Sequence, residues 1–541
     1  METYKILVAD RISPKGVQDL RDDPNIGHVE EWKGESAATD EQLIEIIGDY
    51  DGVIVRSDTK LLNSSVFEAA KKLQVIGRAG VGVDNISKEL ASKHGVIVMN
   101  TPGGNTISTA EHAFTLMMSL ARHIPHAHAG VAANKFAESR KKFKGVELNG
   151  KNLLVLGMGR IGAEFAKRAM AFNMKVLAYD PFLPAERAKE LGVELVSLED
   201  GAARADFITM HMPMTDDTKH MINADLIAKM KPSVRIVNCA RGGLIDEAAL
   251  LEALNDGKVA GAALDVLERE KENPPADPQL LSHPKVVLTP HLGASTNEAQ
   301  ENVGIEIAKQ IRDALVDQVI VNSINMPNMD ERTLEEVGPY LELARALGFI
   351  AGRAAPEGSD TLKVDYSGHV AKIDTQLVTR YVVKGFIEAS GCSDSVNPIN
   401  AMAVAKERKI EVSETTHSEP TDYTDYIEVA AGNDKEVATM AGTLFGKEPR
   451  IVRFNDRKIN VVPNGHLLVL ENTDVPGIVG HVGEVLARHE INIANMSLGR
   501  NVETNEAVMV LNLDTAPSEV VREELNKNEA ILHSRLISLG A

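Results

Sequence analysis

Three side chains suited to proton transfer and carboxylate binding stand at or just after the ends of apolar segments. Arg241 follows the first segment, Asp265 ends the second with several glutamates beyond it, and His291 follows the third. A histidine can take a hydroxyl proton as hydride leaves the same carbon, because its pKa lies near the working pH. A carboxylate on the far ring nitrogen would stabilise the imidazolium, and an arginine would bind a substrate carboxylate through two hydrogen bonds. This set predicts hydride transfer at a 2-hydroxy or 2-oxo acid.

A glycine-rich turn predicts the cofactor for such a transfer. Gly157, Gly159 and Gly162 lie between an apolar segment, 152–156, and a stretch with helical spacing, 163–172. The first glycine permits a tight turn, the second lets a pyrophosphate approach the backbone, and the third lets helix and strand pack closely. The N-terminus of the helix adds unpaired N–H groups and a partial positive charge. We therefore predict that a dinucleotide binds at this turn.

The choice between the two nicotinamide dinucleotides depends on one acid. The next apolar segment ends in Asp180, which lies roughly 20 residues beyond the glycine-rich turn, the usual spacing in dinucleotide-binding domains. Its carboxylate can accept a hydrogen bond from the ribose 2′-hydroxyl and would repel a 2′-phosphate. The sequence therefore predicts NAD rather than NADP.

These side chains need parallel strands to bring them together, because the carboxyl ends of parallel strands share one edge of a sheet. Short apolar segments alternate with helical stretches over the first hundred residues and again from 153 to 289. The alternation predicts two doubly wound α/β domains. We place a substrate-binding domain at residues 1–100 and 290–322 and a Rossmann NAD-binding domain at 101–289. A helix predicted over 297–316 returns the chain to the first sheet.

The last 217 residues have a different pattern. Segment 326–330 is predicted to be a linker, residues 341–352 a helix, and the alternating segments after residue 360 strands. We expect an intervening α+β domain at residues 325–457. Residues 465–541 then give the element order βαββαβ, which predicts a ferredoxin-like domain.

Composition excludes several classes of function. The chain has 541 residues, a net charge of −20 and a pI near 5.3, so we expect no nucleic-acid or membrane partner. Cys239 and Cys392 are the two cysteines, too few for a disulfide framework. No secretory signal or apolar run long enough to span a membrane is visible, which predicts a cytoplasmic location. His123, His126 and His128 lack a neighbouring cysteine or matched acid, so no metal site is predicted.

Several longer motifs resemble those of the D-isomer-specific 2-hydroxyacid dehydrogenase family. Within this family the chain is similar to the long members that oxidise 3-phosphoglycerate, and the resemblance extends over the whole chain. The motifs that carry it are residues 77–85, 100–112, 238–243, 263–270 and 289–296. The resemblance implies oxidation of 3-phospho-D-glycerate to 3-phosphohydroxypyruvate with NAD, the first step of L-serine biosynthesis.

The resemblance also implies roles for individual residues. Arg241 would hold the substrate, His291 would be the general acid and base, and Glu270 would orient the histidine. The implied cofactor-binding residues are Gly157, Gly159, Arg160, Ile161, Gly162, Asp180, Cys239, Ala240, Arg241, Asp265, His291, Gly293 and Ala294. The implied substrate-binding residues are Arg56, Arg78, Gly80, Asn105, Arg140 and Arg241. The phosphate would bind the added cations, with Arg140 reaching in from a partner subunit of a homo-oligomer.

One departure from the family pattern leaves an alternative open. Residues 271–273 separate Glu270 from the prolines that usually follow it directly, which makes Glu272 a rival partner for His291. Glu270 keeps the family's spacing from Asp265 and Arg241, and we expect it to be the partner.

The C-terminal module resembles an ACT domain, a sensor of small molecules. Asn472, Asp474 and Asn492 match positions that bind amino acids in such domains. The resemblance implies that L-serine binds at an interface between two modules and inhibits the enzyme; a module used only for assembly is the alternative. Two other functions stay open for the whole chain. One is a glyoxylate or hydroxypyruvate reductase on the same scaffold, and the other is an NAD-sensing regulatory scaffold without turnover.

Overall fold

The structure is a computed structural model that describes residues 3–34, 36–270, 272–391, 396–417, 422–501 and 503–539. Within these residues the chain forms four sheets, which define four domains, named here first to fourth in chain order. Lys271, from the predicted insertion, and Cys392 lie outside the described residues. No helix in the described part of the chain is both long and apolar enough to cross a lipid bilayer.

The first domain is built around a parallel sheet of five strands. Its elements are β1 (Tyr4–Val8), α1 (Pro14–Asp22), β2 (Ile26–Glu31), α2 (Asp40–Ile46), β3 (Gly52–Val55), α3 (Ser64–Ala69), β4 (Val75–Arg78), α4 (Lys88–Lys93) and β5 (Ile97–Asn100). The strand order is β2-β1-β3-β4-β5. Strands β3, β4 and β5 are buried along nearly their whole length, which explains why they read as continuous apolar segments. The order reverses between β1 and β3, where doubly wound sheets bind ligands at the carboxyl ends.

The second domain contains a parallel sheet of seven strands. Its elements are α5 (Thr106–Arg122), α6 (Ile124–Ala132), α7 (Phe136–Lys142), β6 (Asn152–Leu156), α8 (Arg160–Ala171), β7 (Lys175–Tyr179), α9 (Ala185–Leu191), β8 (Glu194–Leu195), α10 (Leu198–Arg204), β9 (Phe207–Met210), α11 (Ala224–Ile227), β10 (Arg235–Asn238), α12 (Glu247–Asn255), β11 (Gly261–Leu264), α13 (Pro278–Leu281) and β12 (Val286–Leu288). The order is β12-β11-β10-β9-β6-β7-β8, with the reversal between β6 and β9. A separate apolar core covers each face of this sheet.

A long helix then returns the chain to the first domain. Helix α14 (Asn297–Val316) begins at a Thr296 cap and has the bounds expected from the sequence. Its residues Ile307 and Ile311 are fully buried in the same cluster as Ile54 and Val75 of the first sheet. The first sheet therefore depends on a helix that follows the whole second domain in the chain.

The third domain has a mixed sheet of six strands packed against two long helices and a short one. Its elements are α15 (Glu331–Ala354), β13 (Thr361–Gly368), α16 (Gln376–Glu388), α17 (Ala401–Glu407), β14 (Glu411–His417), β15 (Asp425–Gly432), β16 (Val437–Phe445), β17 (Glu448–Phe454) and β18 (Arg457–Val461). The strand order is β14-β13-β15-β16-β17-β18, with only β13 and β14 parallel. Helix α15 begins ten residues before the predicted helix, because Asp330 caps it and Pro339 is accommodated inside it.

The segment predicted as a linker, 326–330, is packed rather than exposed. Met326 and Met329 are buried in the core, and Met329 exchanges backbone hydrogen bonds with Ile320. The segment does connect the two domains, but its two methionines are part of the apolar cluster that the first and third domains share.

The fourth domain is the ferredoxin-like domain predicted from the sequence. Its elements are β19 (Gly465–Thr473), α18 (Ile478–Arg488), β20 (Ile493–Asn501), β21 (Glu506–Leu513), α19 (Glu519–Leu525) and β22 (Ile531–Leu539). The antiparallel order is β20-β21-β19-β22, and both helices bury their apolar residues against one face of the sheet.

One apolar cluster joins three of the four domains. It runs from the first sheet through α14 and α15 into the third sheet and reaches Leu467 and Val510 of the fourth domain. The second domain contributes nothing to this cluster and has its own two cores. The first, third and fourth domains therefore pack as one body, and the second domain joins it across a cleft.

Candidate active site

The cleft between the first and second domains has a volume of about 670 Å³ and lies at the carboxyl ends of both sheets. Arg56 and Arg78 line it after β3 and β4. Glu270 and His291 line it after β11 and β12, on the other side. Side chains far apart in the sequence thus meet in one cavity, as expected for the edge at which parallel strands end.

His291 and Glu270 form a pair in this cleft. The His291 Nδ1 lies 3.2 Å from both carboxylate oxygens of Glu270. This hydrogen bond raises the pKa of His291, with the charges of Glu270 and Asp265 adding to it, while burial and Arg241 oppose it. Because Nδ1 is engaged with the carboxylate, proton exchange with a substrate falls to Nε2.

Glu272, the rival partner, points to a different residue. Its carboxylate lies 3.6 Å from the Arg269 guanidinium, and its backbone N–H donates to the Arg269 carbonyl at 2.8 Å. The structure places Glu270, and not Glu272, against His291.

Asp265 holds the turn that carries His291. Its buried carboxylate accepts hydrogen bonds from the Leu292 and Gly293 amides at 2.8 and 2.9 Å and from the Thr289 hydroxyl at 2.6 Å. The His112 ring nitrogen lies 3.1 Å away. Burial acts to raise the pKa of Asp265, but the hydrogen bonds from His112, Thr289 and Leu292 outweigh it and lower that pKa. The carboxylate is thus stabilised as an anion and fixes the histidine's backbone.

Arg241 reaches from the second domain toward the first. Its side chain follows β10, and its Nε lies 3.6 Å from the Asp84 carboxylate in the loop after β4. A side-chain amide of Asn238 donates to the Arg241 carbonyl at 2.8 Å, which fixes the backbone. A Cβ on Gly82 would lie 2.4 Å from an Arg241 guanidinium nitrogen, which shows how closely the arginine approaches this loop. The arginine can therefore bind a group held between the domains.

Arg78 shows that the cleft is strongly cationic. Burial lowers the pKa of Arg78 to about 10, and the nearby charges of Arg241 and Arg56 contribute to the shift. The Arg78 Nε is buried and has no hydrogen-bond partner among the described residues. Three guanidinium groups gathered in a chain of net charge −20 make this cavity suited to an anion.

The other predicted substrate residues divide into two groups. Gly80 and Asn105 line the cleft, with the Gly80 amide held by the Thr101 hydroxyl at 2.7 Å. The Asn105 Oδ1 is buried without a partner among the described residues, at the start of α5. Arg140, on α7, is not among the residues that line the cleft of its own protomer.

The glycine-rich turn has the geometry that a dinucleotide requires. Gly157 has φ +90° and approaches the His211 carbonyl so closely that a Cβ would lie 2.7 Å from it. A Cβ on Gly162 would collide with the Gly157 carbonyl, whereas open space surrounds Gly159. The first and third glycines thus serve packing, and the second leaves room beside the backbone for a ligand. Arg160 and Ile161 begin α8 directly after it.

The remaining predicted cofactor residues follow neighbouring strands. Asp180 follows β7, and its carboxylate accepts hydrogen bonds from the Met158 amide at 2.8 Å and the Phe182 amide at 2.9 Å. Cys239 and Ala240 follow β10; burial raises the pKa of the Cys239 thiol well above its usual range, so this group stays protonated. Ala294 lines the cleft directly beyond the Asp265-bound Gly293.

The three predicted effector residues do not meet within one module. Asn472 and Asp474 lie at one end of β19, where Asn472 is opposite Ala507 of β21. Asn492 lies at the other end of β21, where its amide donates to Asp514 at 2.8 Å. Residues 507 and 514 are seven positions apart, which corresponds to about 23 Å in an extended strand. A single small amino acid cannot touch all three side chains of one module.

No group of three histidine, cysteine or acidic side chains suited to a metal ion occurs in the described part of the chain. His123 and His126 pack their rings against Phe143 instead, at centroid distances of 5.8 and 6.3 Å. Burial lowers the pKa of His126, with His123 adding to the effect.

The sequence did not single out His112, Thr289 or Asp84. Each lies inside or beside a quoted motif, but its contact is with a residue on another segment of the chain, which spacing does not reveal. His112 could have been noticed from the sequence because it lies in the motif 100–112. Asp265 and His112 are 153 positions apart, and only the fold brings them together.

Three family descriptions match successive parts of the chain. Residues 114–293 match the NAD binding domain of D-isomer specific 2-hydroxyacid dehydrogenases. Residues 336–455 match the D-3-phosphoglycerate dehydrogenase intervening domain, and residues 466–530 match the ACT domain. These matches agree with the second, third and fourth domains of the structure.

Relatives with the same arrangement cover the whole chain. D-3-phosphoglycerate dehydrogenase of Bacillus subtilis (strain 168) is 41% identical over 99% of this chain and 100% of its own length. The enzyme of the same name from Archaeoglobus fulgidus is 42% identical over 99% of this chain and 100% of its own length. D-3-phosphoglycerate dehydrogenase 2, chloroplastic, of Arabidopsis thaliana is 38% identical, over 97% of this chain and 85% of that protein.

Solved structures resemble the first two domains. A glyoxylate reductase from Paecilomyes thermophila has a TM-score of 0.54 and 29% identity, covering 60% of this chain and 98% of that one. D-2-hydroxyisocaproate dehydrogenase has a TM-score of 0.53 and 28% identity, covering 59% of this chain and 99% of that one. The full-length relatives add the third and fourth domains, and the chain therefore belongs to the D-3-phosphoglycerate dehydrogenases of the D-isomer-specific 2-hydroxyacid dehydrogenase family.

Proposed function

We propose that this chain oxidises 3-phospho-D-glycerate to 3-phosphohydroxypyruvate with NAD, the first step of L-serine biosynthesis. The observation that carries the proposal is the interdomain cleft, where the His291–Glu270 pair faces a cavity shared with Arg56 and Arg78. The substrate has two anionic groups with a secondary alcohol between them. A base beside a cluster of guanidinium groups is the arrangement that such a molecule needs.

The proton follows a direct route in this geometry. The neutral imidazole of His291 takes the C2 hydroxyl proton at Nε2. NAD, when bound, would accept the hydride that leaves the same carbon. Glu270 at Nδ1 stabilises the imidazolium that forms. In the reverse direction the same imidazolium returns its proton to the carbonyl oxygen, as microscopic reversibility requires.

The cations divide between the two anionic groups of the substrate. Arg241 lies on the side of His291 and would bind the C1 carboxylate and C2 oxygen through two hydrogen bonds. Arg56 and Arg78 lie on the opposite wall and would bind the phosphate. The buried, unpaired Arg78 Nε gains an acceptor when an anion enters, which removes an unfavourable orphan donor.

The glycine-rich turn would hold the pyrophosphate of NAD, and Asp180 would hold the adenosine ribose. The open space at Gly159, between two tightly packed glycines, supports this assignment. In the described structure the Asp180 carboxylate engages two amides, which sets it beside the turn as a ready acceptor for a hydroxyl.

Replacing Asp180 with alanine should narrow the preference for NAD over NADP by about tenfold or more, because the ribose loses an acceptor and a 2′-phosphate is no longer repelled. The measurement is kcat/KM for each cofactor at saturating substrate. Asp200→Ala, an exposed acid on α10, is the matched control and should leave the ratio unchanged. Equal use of NAD and NADP by the unmodified enzyme would contradict the assignment.

A glyoxylate or hydroxypyruvate reductase is the second candidate function. The likeness of the first two domains to a glyoxylate reductase favours it. Two cations beyond those needed for one carboxylate favour the phosphorylated substrate instead. The His291–Glu270 pair in the cleft, with Arg241 near enough for its charge to lower the pKa of His291, gives no support to a scaffold without turnover.

A substrate panel distinguishes these functions. The purified enzyme is assayed with 3-phosphoglycerate and glycerate in oxidation, and with hydroxypyruvate, glyoxylate and 2-oxoglutarate in reduction, each with both cofactors. We expect the highest kcat/KM for 3-phosphoglycerate with NAD. A higher value for glyoxylate or hydroxypyruvate would favour the reductase.

We further propose that the fourth domain binds L-serine between two copies of itself and thereby inhibits the enzyme. Asn472 and Asp474 at one end of the sheet and Asn492 at the other support a shared site, because a second copy turned end to end would bring the two groups together. The Asn472 Oδ1 is buried without a partner among the described residues and is a suitable acceptor for an ammonium group.

Replacing Asn492 with alanine should abolish inhibition by L-serine and leave kcat within about twofold. A typical coupling energy of about 1–3 kcal/mol corresponds to a 5- to 150-fold effect on apparent affinity, which is ample to detect. Serine titrations followed by calorimetry and by activity provide the measurement. Asn526→Ala, at the exposed end of α19, is the control. If serine binds the unmodified enzyme without inhibiting it, the fourth domain has a stabilising role and no inhibitory one.

A homo-oligomer follows from the same proposal and from the second domain. Helix α6 has no buried residue, and its neighbourhood exposes large apolar side chains, including Phe136 at 65%. Arg140 lies on the adjacent α7, which suits an arginine that serves the cleft of a partner subunit. Light scattering on the purified protein measures the assembly. The cytoplasmic location stays a prediction.

A further inference from the structure

Two buried polar side chains hold the loop that places Arg56 in the cleft. Asp10 follows β1 and is 7% exposed, and Asn85 ends the motif 77–85 and is 6% exposed. The loop itself consists of residues 56–59, of which Arg56, Ser57 and Asp58 line the cavity. Neither Asp10 nor Asn85 lines that cavity, so any action they have on a substrate must pass through the loop.

Asp10 binds the N–H side of the loop. Its carboxylate accepts a hydrogen bond from the Arg56 amide at 2.6 Å and one from the Thr59 amide at 3.1 Å. The Thr59 hydroxyl, which is fully buried, donates a third at 2.7 Å. Because a buried carboxylate is costly without such donors, the loop and the acid stabilise each other.

Asn85 binds the carbonyl side of the same loop. Its side-chain amide donates to the Arg56 carbonyl at 2.8 Å and to the Thr59 carbonyl at 2.7 Å. Its own backbone is fixed, since its carbonyl accepts from the Leu61 amide at 2.8 Å. Both ends of the loop are therefore held twice, once by an acceptor and once by a donor.

The hydrogen bonds of Asp10 and Asn85 to residues 56–59, called the clamp below, are not needed to pair β1 with β3. The register of β1 and β3 ends at Val8 opposite Ile54, and one further backbone bond joins Ala9 to Ile54. Asp10 acts beyond that last bond, where the chain has left the sheet. At the opposite end of the same two strands, the Asp51 carboxylate accepts a hydrogen bond from the Lys5 amide at 2.8 Å. This contact joins the strand ends and holds no loop of the cleft.

The charge of Asp10 has a second effect. Asp10 is among the groups that raise the pKa of Arg78, opposing its burial and the charges of Arg241 and Arg56. The hydrogen bonds of the Asp10 carboxylate in the described part of the chain come from two backbone amides and one hydroxyl, and not from a charged side chain. The negative charge of Asp10 therefore attracts the backbone donors of the loop and reduces the repulsion among the cations. It does not neutralise Arg56, which would bind the substrate.

We propose that Asp10 and Asn85 are positioning residues for recognition of the substrate phosphate, which they serve by clamping the loop that carries Arg56. The proposal rests on the function proposed above and concerns one part of it, the selection of a phosphorylated acid. A clamp on backbone atoms holds the Cα of Arg56 and thereby the reach of its guanidinium. A shift of about 1 Å in a binding group is enough to weaken its contact strongly.

Asp10→Asn is the main test, because asparagine has the same shape but turns an amide toward backbone donors. We expect kcat/KM for 3-phosphoglycerate to fall about tenfold or more, through KM. The kcat/KM for glycerate, which has no phosphate, should change less than twofold. The kcat for 3-phosphoglycerate and the Kd for NADH should also change less than twofold. The readout is the ratio of kcat/KM for 3-phosphoglycerate to kcat/KM for glycerate. A general loss of stability would not change this ratio.

Asp51→Asn is the matched control, since it makes the same change on the same two strands at the edge away from the cleft. It should preserve the selectivity. Thr59→Val removes a single donor to Asp10 and provides a milder variant if Asp10→Asn does not fold; we expect the same selective loss, about threefold or more. Asn85→Asp sets a carboxylate against two carbonyls and should act like Asp10→Asn.

The results separate the two proposals. An unmodified enzyme that does not prefer 3-phosphoglycerate to glycerate overturns the proposed function and the clamp with it. An unmodified enzyme with that preference, retained in Asp10→Asn and Thr59→Val, overturns the clamp alone. Equal losses with both acids would also overturn it, because they would show a structural role with no bearing on the phosphate.

Discussion

Replacing His291 with asparagine should lower kcat for 3-phosphoglycerate by about 10²- to 10⁴-fold, the usual contribution of a general base. Asparagine preserves much of the shape of the side chain but cannot take the hydroxyl proton. The Kd for NADH should stay within about twofold, because the imidazole acts on the proton. The measurements are steady-state kcat and titration of NADH by fluorescence.

His94→Asn makes the same change at an exposed position beyond α4 and is the control. It should leave kcat and the Kd unchanged. Near-normal turnover in His291→Asn would show that another group takes the proton. The backbone of the turn should survive the substitution, since Asp265 holds it through the amides of residues 292 and 293.

Replacing Glu270 with glutamine should move the acid limb of the pH–rate profile to lower pH and lower kcat by about a hundredfold. Oxidation needs the neutral imidazole, so its rate falls as the pH drops through the pKa of His291. Glu270 raises that pKa, and its loss therefore lowers it and shifts the limb down. The fall in kcat follows because the imidazolium loses the anion that stabilises it.

Glu272→Gln separates this effect from a general loss of negative charge in the same loop. Its partner is Arg269, so neither the limb nor kcat should change by much. If the acid limb of the pH–rate profile moved to lower pH in Glu272→Gln and did not move in Glu270→Gln, Glu272 would be the partner of His291. In the reductive direction, which needs the imidazolium, the corresponding limb lies on the alkaline side and should also move down in Glu270→Gln.

The two α/β domains were predictable because their strands are buried on both faces and therefore appear as continuous apolar segments. Strand β2 does not appear as such a segment. It lies at the edge of the sheet, only Ile26 and Val29 of its six residues are buried, and its polar residues hide the pattern. In the third domain, the buried residues Val337 and Tyr340 lie on both sides of Pro339 and extend α15 ahead of the helix predicted from residue 341.

The closeness of three side chains of the candidate site could be inferred from the sequence, whereas their roles stay predictions. Arg241, Glu270 and His291 each follow their own strand, and parallel strands bring them together. Contacts between distant segments were not predictable, as with the loop held by Asp10 and Asn85 across 46 and 29 positions. The effector residues lie at opposite ends of a strand within one module, so the predicted site between two copies of the module stays a prediction.

The placement of α14 has a consequence for synthesis of the chain on the ribosome. When Asn100 has been added, the first sheet is complete but the face that receives Ile307 and Ile311 is bare. Roughly 200 further residues must be translated before α14 arrives, a delay of about 10–40 s at ordinary elongation rates. The second domain, whose elements are contiguous, can finish folding within that interval. The nascent first domain must meanwhile carry an exposed apolar face, which makes it the part of the chain that a chaperone has most reason to bind.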